Sequence, residues 1–512
     1  MIGNNIIFIK NSNQNDFKIL NTKKITYFFI YSIFIQFPFV VNLLGKEFKK
    51  LPCQDFNISE NIRYSCGWIQ VPEDHYNNSE NKIDISLVVI NQKDKEFIDP
   101  LIILTGGPGG SAITERRVQS WLDNPISVNR KIIIFDQRGI GFSSPLKNMS
   151  KDFFSTFRKD LSFEKENFEI QKIINLYVDD AKRKGIDLSK YNTFQSANDV
   201  NTIMNVLGYE KYNLYGGSYG TRLGRITQEL HPSKLNSVIL NSPNPLVGDM
   251  LVSRLISYSK SLSRVFEYCN RNYECSKSYP NLKDTYSKVL KKLEKKSIKI
   301  DINNEPYYLN AHEWLYFIRR LLYSNDALTK IPLLIKEYED EGGPIIKDLI
   351  TNSFRDSYNY AMWLAVEKYE MFNIKYDEKY INKIYDKLRF FPTKLGFFTS
   401  AYLSMNNFHE NTLSKKEKKL KKSLVPTLIT VNKYDPVTPP ENGKIMAKGL
   451  KNHYLFIVNE AGHGGGQLEC RYKIIIDFMN NPMDDLDAKC LDIVKRIWTN
   501  QFNRIKSYSS WN

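Results

Sequence analysis

Histidine, cysteine and acidic residues are all scarce in this chain of 512 residues. The six histidines and six cysteines include no CxxC pair and no histidine cluster, so their spacings exclude a zinc cage. Asp and Glu number 56 against 72 Lys and Arg, which leaves a formal net charge of +16. The basic residues are mostly scattered lysines with no nucleic-acid-binding motif, so we expect no nucleic-acid partner. The absence of internal repeats argues against a repeat array.

What is present indicates a globular protein. Hydrophobic residues make up 42% of the chain, and 30 Phe with 31 Tyr supply bulk for a core. The length alone predicts roughly two to four structural units.

The first 50 residues form a separate N-terminal segment. Lys23 and Lys24 precede an apolar stretch at 25–44, which has the shape of a secretory signal. About 20 apolar residues would also span a bilayer, so attachment to a membrane through this stretch is the alternative. A buried helix of a cytosolic protein is the third interpretation. We predict an exported protein, whose leader is either cleaved or kept as an anchor.

The cysteines support export because they fall into pairs that are local in sequence. The pairs are Cys53 with Cys66, Cys269 with Cys275, and Cys470 with Cys490. The count alone does not determine connectivity, and local pairing is the simplest hypothesis. Structural disulfides form in oxidising compartments, whereas unpaired buried cysteines are the alternative interpretation.

Short apolar, β-branched runs that end in Gly-, Asp- or Pro-containing turns recur along the chain. They lie at 101–104, 131–135, 212–215, 238–240, 427–431 and 454–458. Continuous apolar runs of this length are typical of strands buried on both faces of a parallel sheet. A more alternating run at 83–90 predicts an antiparallel strand of the same sheet, and helix-like segments at 197–207 and 220–230 lie between strands. The pattern predicts an α/β fold with a mostly parallel sheet.

This alternation of strands and helices stops between residues 248 and 424. Long amphipathic patterns at 314–323 and 353–372 replace it, so we predict a large helical insertion that acts as a lid. The core then consists of residues 51–247 and 425–512, with a shorter insertion at 146–192.

The strongest chemical motif is GGSYG at 216–220, which is G-x-S-x-G between a strand-like and a helix-like run. In that context the serine lies on a strained strand-to-helix turn that exposes its hydroxyl, so Ser218 is the candidate nucleophile. The alternative is a glycine-rich turn with a capping serine.

A second glycine-rich segment, TGGPGG at 105–110, follows the strand at 101–104. Acyl transfer needs backbone amides aimed at the oxyanion, and a glycine-rich turn allows a close approach. We predict the amides of Gly107 and Tyr219 as the donors. A phosphate-binding loop is the rival interpretation, but the segment lacks both G-x-x-x-x-G-K-[ST] and G-x-G-x-x-G.

The triad partners should follow the serine in the order acid then histidine, each after a late strand. Asp435 follows the run at 427–431, and His463 follows the run at 454–458 within a glycine-rich turn. The imidazole of His463 would take the serine proton, while Asp435 would hold its tautomer and stabilise the imidazolium.

GGPGG, DQRG, GGSYG, DPVTPP and AGHG occur in this order, and the chain resembles the prolyl iminopeptidase and tripeptidyl aminopeptidase-like α/β-hydrolases. The resemblance covers roughly residues 66–490 except most of the lid. It implies an α/β-hydrolase fold, a C-terminal region of the tripeptidyl aminopeptidase type at 425–512, and removal of short N-terminal pieces from peptides through an acyl-enzyme. It also implies that no metal or organic cofactor is needed.

Two lid glutamates are the candidate binders of a substrate α-ammonium. In the resembled family such a glutamate lies near a hydrophobic-Val-x-Cys-x-Glu pattern, which AVEKYE at 365–370 matches in outline. The match nominates Glu370 and, less strongly, Glu367, although Lys368 replaces the cysteine. Surface charges on a helix are the alternative interpretation. Arg138 of DQRG is expected to be structural, pairing with a carboxylate near the glycine-rich loop.

The leading hypothesis is therefore an exported serine aminopeptidase that acts on peptides. An esterase or amidase acting on small acyl substrates is the alternative, because a triad does not distinguish acyl groups. A catalytically silent binding protein of the same fold is a third possibility, against which the complete set of motifs argues.

Overall fold

The computed structural model describes residues 47–77, 79–91, 98–246, 249–323, 325–339, 343–353, 358–371, 376–388, 391, 394–459, 461–465 and 468–492. The apolar stretch at 25–44, predicted as a signal or anchor, lies outside these residues. Within the described ranges, no helix has the length and apolar character needed to cross a bilayer.

Among the described residues, nine strands form one sheet, and two more form a separate hairpin. The strands are β1 (Lys49–Leu51), β2 (Tyr64–Pro72), β3 (Lys82–Ile90), β4 (Ile98–Leu104), β5 (Arg130–Phe135), β6 (Tyr212–Gly217), β7 (Leu235–Asn241), β8 (Ile298–Ile302), β9 (Glu305–Leu309), β10 (Thr427–Asn432) and β11 (His453–Val458). The large sheet has the order β1-β2-β3-β5-β4-β6-β7-β10-β11. The strands β5, β4, β6, β7, β10 and β11 run parallel to one another. At the other edge, β1, β2 and β3 pair antiparallel with their neighbours. The predicted parallel strands and the antiparallel strand at 83–90 are therefore confirmed.

The apolar runs are continuous because both faces of the sheet are covered. In β4, Ile102 and Leu104 pack into one hydrophobic cluster, while Leu101 and Ile103 pack into another on the opposite face. Successive side chains of a strand point to opposite faces, so a strand covered on both sides needs apolar residues at every position.

Seven α-helices belong to the described parts of the two core segments. They are α1 (Glu115–Leu122), α2 (Ser150–Phe157), α3 (Phe163–Arg183), α4 (Thr193–Val206), α5 (Tyr219–Leu230), α16 (Glu441–Met446) and α17 (Leu468–Asn480). Helices α4 and α5 contribute to the first cluster, and α1 and α17 contribute to the second. The shorter predicted insertion at 146–192 contains α2 and α3.

Ten helices occupy the described part of residues 248–424, which we call the helical insertion. They are α6 (Met250–Arg271), α7 (Tyr273–Ser278), α8 (Leu282–Lys295), α9 (Ala311–Leu321), α10 (Asn325–Leu328), α11 (Ile331–Glu339), α12 (Pro344–Ser353), α13 (Tyr360–Met371), α14 (Glu378–Tyr385) and α15 (Gly396–Ser404). The insertion shares the first hydrophobic cluster with α4 and α5, so it packs directly on the core.

Three strands and one boundary differ from the sequence-based expectation. The pattern did not reveal β2, or the β8–β9 hairpin within the insertion. Strand β1 begins at Lys49 and pairs with β2, so the N-terminal segment predicted as 1–50 ends inside the sheet. Strand β1 has only three residues, the hairpin strands have five each, and β2 has Ser65, Gly67 and Gln70 between its apolar residues, so none of them contains a long continuous apolar run.

The six cysteines join in the three local pairs that were predicted. Cys53–Cys66, Cys269–Cys275 and Cys470–Cys490 are disulfides, and no cysteine is free. The last pair connects α17 to the segment that follows it. Disulfides of this kind are typical of proteins that fold in an oxidising compartment.

Candidate active site

Ser218 lies on the turn between β6 and α5, with φ 54° and ψ −120°. The left-handed φ is unusual for a serine and is maintained by the surrounding backbone, since the Ser218 amide donates to the Asn241 carbonyl at 2.9 Å. Gly216 and Gly220 flank the turn so closely that a Cβ on Gly216 would collide with the Gly220 carbonyl. This tight turn leaves room only for glycine on both sides of the candidate nucleophile.

The structure brings the three predicted catalytic side chains together. His463 Nε2 lies 2.8 Å from Ser218 Oγ, and His463 Nδ1 lies 2.8 Å from Asp435 Oδ2. Asp435 is fully buried, and the His463 side chain is about 10% exposed. Ser218 follows strand β6, Asp435 follows β10, and His463 follows β11. These separations are normal hydrogen-bond lengths, so the three groups form one continuous chain.

Thr438 completes the surroundings of the Asp435 carboxylate. The amides of Val437 and Thr438 donate to Asp435 Oδ1 at 2.8 and 2.7 Å, and the Thr438 hydroxyl donates to Oδ2 at 2.7 Å. These donors bind both carboxylate oxygens and hold the carboxylate in place beside the imidazole. Thr438 belongs to the DPVTPP motif, three residues after the acid, but its role was not identified from the sequence.

The loop that carries His463 contacts the helical insertion. The His463 amide donates to the Leu322 carbonyl at 3.3 Å, and the Gly464 amide donates to the Tyr323 carbonyl. The Tyr323 ring meets the imidazole edge to face, with 5.0 Å between ring centroids. Residues 322–323 directly follow α9, so the end of this helix fixes the position of the histidine loop. No sequence motif marks these contacts, because backbone carbonyls make two of them.

The glycine-rich loop at 105–110 lies against the nucleophile. A Cβ on Gly106 would lie 2.9 Å from Ser218 Cβ and 3.5 Å from its Oγ. The predicted donor Gly107 is the next residue and has a φ of +130°, which only glycine adopts without strain. The second predicted donor, Tyr219, is the first residue of α5. The loop and the start of the helix thus lie at the same end of the sheet as Ser218.

Asp136 anchors the segment that follows the glycine-rich loop. Its buried carboxylate accepts hydrogen bonds from the Ser111 hydroxyl at 2.9 Å and from the amides of Ala112, Ile113 and Phe142 at 2.6, 3.1 and 3.0 Å. Burial raises the pKa of Asp136, and these donors oppose the rise. The DQRG motif therefore stabilises the loop through its aspartate.

Arg138 has the structural role that was expected, but with a different partner. Its guanidinium pairs with Asp199 of α4 through two hydrogen bonds of 2.7 Å, and His75 shares that carboxylate at 2.8 Å. Burial alone would raise the pKa of Asp199, but the charge of Arg138 lowers it. The carboxylate near the glycine-rich loop, Asp136, has backbone partners instead.

The two candidate ammonium-binding glutamates lie on α13, fully buried and paired with arginines. Glu370 accepts from the Thr193 amide at 2.6 Å and from Arg222 at 2.9 Å. Glu367 pairs with Arg254 at 3.2 Å and accepts from the Tyr402 hydroxyl at 3.2 Å. The alternative of exposed surface charges is therefore wrong.

Burial and neighbouring charges shift the pKa values of the charged residues around these two glutamates. Burial raises the pKa of Glu370, although Arg222 opposes the rise. Burial disfavours the charged form of Arg254, but the negative charge of Glu367 and the neighbouring tyrosines together raise the arginine pKa. Lys368, which replaces the cysteine of the family pattern, has a lowered pKa because it is buried. The arginines of α5 and α6, not Lys368, thus compensate the two carboxylates.

Comparison with known proteins places the chain in a family. The family model described as alpha/beta hydrolase fold matches residues 99–465. A tripeptidyl aminopeptidase of Streptomyces coelicolor is 28% identical over 199 residues, which cover 37% of this chain and 36% of that protein. The serine protease Hip1 of Mycobacterium tuberculosis is 26% identical over 249 residues, which cover 45% of this chain and 47% of that protein. The matches therefore span less than half the length of these relatives.

Solved structures match a larger share of the chain at lower sequence identity. A serine hydrolase from Cycloclasticus zankles has a TM-score of 0.37 and 14% identity, and the match covers 82% of this chain and 100% of that one. An esterase from Thermogutta terrifontis has a TM-score of 0.36 and 12% identity over 81% of this chain and 99% of its own. With the family model matched across both core segments, the chain belongs to the α/β-hydrolase fold family.

Proposed function

We propose that the protein is a serine hydrolase that releases N-terminal residues or short peptides from peptide substrates. The observation that carries the proposal is the continuous hydrogen-bonded chain from Ser218 through His463 to Asp435, with both separations at 2.8 Å. A serine hydroxyl is a weak nucleophile until a neutral imidazole accepts its proton.

Acylation follows from this arrangement. Ser218 Oγ attacks the carbonyl carbon of the scissile bond while His463 Nε2 takes the hydroxyl proton. The resulting oxyanion is stabilised by the amides of Gly107 and Tyr219, and losing one such donor typically costs about 3 kcal/mol. The Asp435 carboxylate stabilises the imidazolium that forms. The tetrahedral intermediate then collapses as His463 returns the proton to the leaving amine, which leaves an acyl-enzyme on Ser218.

Deacylation repeats these steps with water as the nucleophile. His463 accepts a proton from the water, which attacks the acyl carbon, and then protonates Ser218 Oγ as the ester breaks. The imidazole must be neutral at the start of both steps, so activity falls as the solution becomes acidic.

Peptides are the proposed substrate class because of the relatives. The curated proteins that the chain matches include a tripeptidyl aminopeptidase and a serine protease. An exopeptidase must also recognise a free α-ammonium, which calls for a carboxylate near the acyl group. Glu367 and Glu370 are proposed for this role, although Arg254 and Arg222 already compensate their charges. A substrate ammonium would therefore bind by exchanging partners with an arginine.

The compensated glutamates also favour a second candidate function. An esterase or amidase that acts on small acyl groups needs the same triad but no free carboxylate for an ammonium. The pairing of both glutamates with arginines is the observation that supports this alternative.

A substrate panel distinguishes the two functions. Aminoacyl- and tripeptidyl-arylamides are compared with their N-acetylated forms and with aryl esters of short acids. The aminopeptidase function predicts that blocking the amine lowers kcat/KM by about 100-fold or more, because the site then loses a charged contact. Equal rates for blocked and free amines, with faster ester hydrolysis, would leave only the esterase function.

Glu367→Gln tests the proposed amine site within the same panel. If Glu367 binds the ammonium, the variant raises KM for free-amine substrates and leaves KM for the acetylated substrates unchanged. A parallel change for both substrate types would mean that the glutamate only supports the fold.

We also propose that the protein is exported. The three disulfides support this location, because cytosolic thiols are kept reduced. Alkylation of the protein recovered from its own cells tests it: the cysteines should be resistant to alkylation until a reductant is added. Complete alkylation without a reductant would place the protein in a reducing compartment.

A further inference from the structure

A segment of the helical insertion clamps the glycine-rich loop. Tyr358 and Asn359, directly before α13, run antiparallel to residues 109–110 and form a β-bridge between Tyr358 and Gly110. The Asn359 amide donates to the Gly109 carbonyl at 2.7 Å, and the Tyr358 hydroxyl donates to the Gly107 carbonyl at 3.0 Å. The insertion thus holds the loop through one side chain and the backbone.

The bond to Gly107 matters because little else at that residue can determine its orientation. Gly107 has no side chain, and the next residue is Pro108, which has no amide hydrogen to donate. Its φ of +130° lies in a region where glycine moves freely. The preceding residue, Gly106, is packed against Ser218, so a bond to the Gly107 carbonyl fixes the second end of a short segment that begins at the nucleophile.

Tyr358 is itself rigidly placed. Its carbonyl accepts from the Ser150 hydroxyl at 3.0 Å, and its ring packs on Tyr360 with 4.9 Å between centroids. The neighbouring Asn359 side chain donates to the carbonyls of Gly139 and Leu146 at 3.2 and 2.7 Å. These contacts hold the Tyr358 hydroxyl in one place, so its hydrogen bond restricts the position of the Gly107 carbonyl.

The hydroxyl also stays protonated and therefore remains a donor. Burial raises the pKa of Tyr358 well above its ordinary value, while the positive charge of Arg254 opposes the rise.

We propose that Tyr358 is a positioning residue of the oxyanion hole: its hydroxyl fixes the Gly107 carbonyl, which limits rotation about the backbone bonds of Gly107 and so keeps the Gly107 amide pointing at the oxygen of the tetrahedral intermediate. The inference rests on the proposed serine-hydrolase function. It assigns to the insertion a part in transition-state stabilisation, apart from any contact with substrate.

Tyr358→Phe tests the proposal by removing one oxygen atom. Losing an entire oxyanion donor costs about 100- to 1000-fold in kcat, so a donor that is only loosened predicts a smaller loss, about 10-fold. KM should stay within about twofold, because the loss is confined to the transition state. The affinity for a boronic acid that forms a tetrahedral adduct with Ser218 should fall by the same factor as kcat.

Tyr360→Phe is the matched control. Tyr360 begins α13, lies two residues away, contacts the Tyr358 ring, and forms its side-chain hydrogen bond with Tyr316 instead of the loop. This variant should keep kcat and boronate affinity within about twofold of the parent. Rates are expressed per active site titrated with a fluorophosphonate, so that any unfolded fraction does not enter the comparison.

Three results would overturn the proposal. The first is unchanged kcat and boronate affinity in Tyr358→Phe, and the second is an equal loss in Tyr360→Phe. The third is a shifted acidic limb of the pH–rate profile, which would mean that Tyr358 acts through His463. Failure of the underlying function is distinguishable, because Ser218→Ala would then retain activity whatever Tyr358→Phe does.

Discussion

The core and the helical insertion contribute to the same site in different ways. The core supplies the three side chains of the proposed triad, each of which follows a different strand. Asp435 is held by Val437 and Thr438. The insertion supplies support from two segments, the carbonyls of Leu322 and Tyr323 on the histidine loop and Tyr358 on the glycine-rich loop.

This difference separates chemistry from positioning. The core residues must have particular functional groups, so a change of one side chain should remove a step of the reaction. The insertion acts largely through backbone atoms and packing, so a change there should loosen the geometry and reduce the rate by less. Variants of the two regions can therefore be ranked by expected effect.

The largest expected effect comes from Ser218→Ala in the core. Without Oγ no acyl-enzyme can form, and kcat should fall by at least about 10⁴-fold in arylamide hydrolysis. Ser263→Ala on α6, where the hydroxyl contacts only Glu267 among the hydrogen bonds described, is the control and should keep full activity. If Ser218→Ala kept more than a small fraction of the rate, Ser218 would not be the nucleophile.

Asp435→Asn should follow, with a loss of about 10³- to 10⁴-fold in kcat. The amide cannot stabilise the imidazolium, and by donating to Nδ1 it favours the His463 tautomer that carries its proton on Nε2, which then cannot accept the Ser218 proton. Asp477→Asn on α17, where the carboxylate pairs with Lys473 at the surface, is the matched control. Similar rates for the two variants would mean that Asp435 only supports the loop.

Gly462→Ala tests the insertion's hold on the histidine loop. A methyl group at this position would collide with the Leu322 carbonyl, so the loop or the end of α9 must shift. A displacement of about 1 Å can cost about 100-fold in rate, and we expect a fall in kcat of about 10- to 100-fold. Gly224→Ala in α5 meets the end of the Leu240 side chain at 3.2 Å and should cost much less. An unaffected rate in Gly462→Ala would show that the contact does not position His463.

The smallest expected effect concerns stability within the insertion. Burial, and next the charge of Glu166, raise the pKa of Glu313 on α9 well above its ordinary value. The unfolded chain loses this proton near pH 4.3, about the ordinary value, whereas the folded chain keeps it, so folding becomes less favourable as pH rises above that value.

Glu313→Gln removes this penalty. Relative to the parent, the free energy of unfolding of the variant, measured by urea denaturation, should increase as pH rises from about 5 to about 8. Glu378→Gln, at an exposed position of α14, is the control and should give the same difference at both pH values. A pH-independent effect of Glu313→Gln would contradict the buried-acid explanation.

The sequence predicted the core better than the insertion for a physical reason. Ser218, Asp435 and His463 each lie in a glycine- or proline-rich turn after a strand, and such turns have recognisable residues because the backbone there is constrained. The strand pattern was equally clear because both faces of the sheet are buried.

The contacts that residues of the insertion make with the core could not be predicted in the same way. Glu370 was identified as a candidate ligand for an ammonium, but its partner Arg222 is 148 positions away and on a different element. Tyr358 lies in no motif, and its bond to Gly107 spans 251 positions. Such contacts depend on how the insertion packs on the core, which a local pattern does not contain.

The most direct test of the central claim is mass spectrometry of the intact protein and its peptides after reaction with a fluorophosphonate. The account predicts a single adduct on the peptide that contains Ser218, formed more slowly as the pH falls and absent from Ser218→Ala. An adduct on another residue, or labelling of Ser218→Ala at the rate of the parent, would contradict the assignment of Ser218, His463 and Asp435 as the catalytic triad.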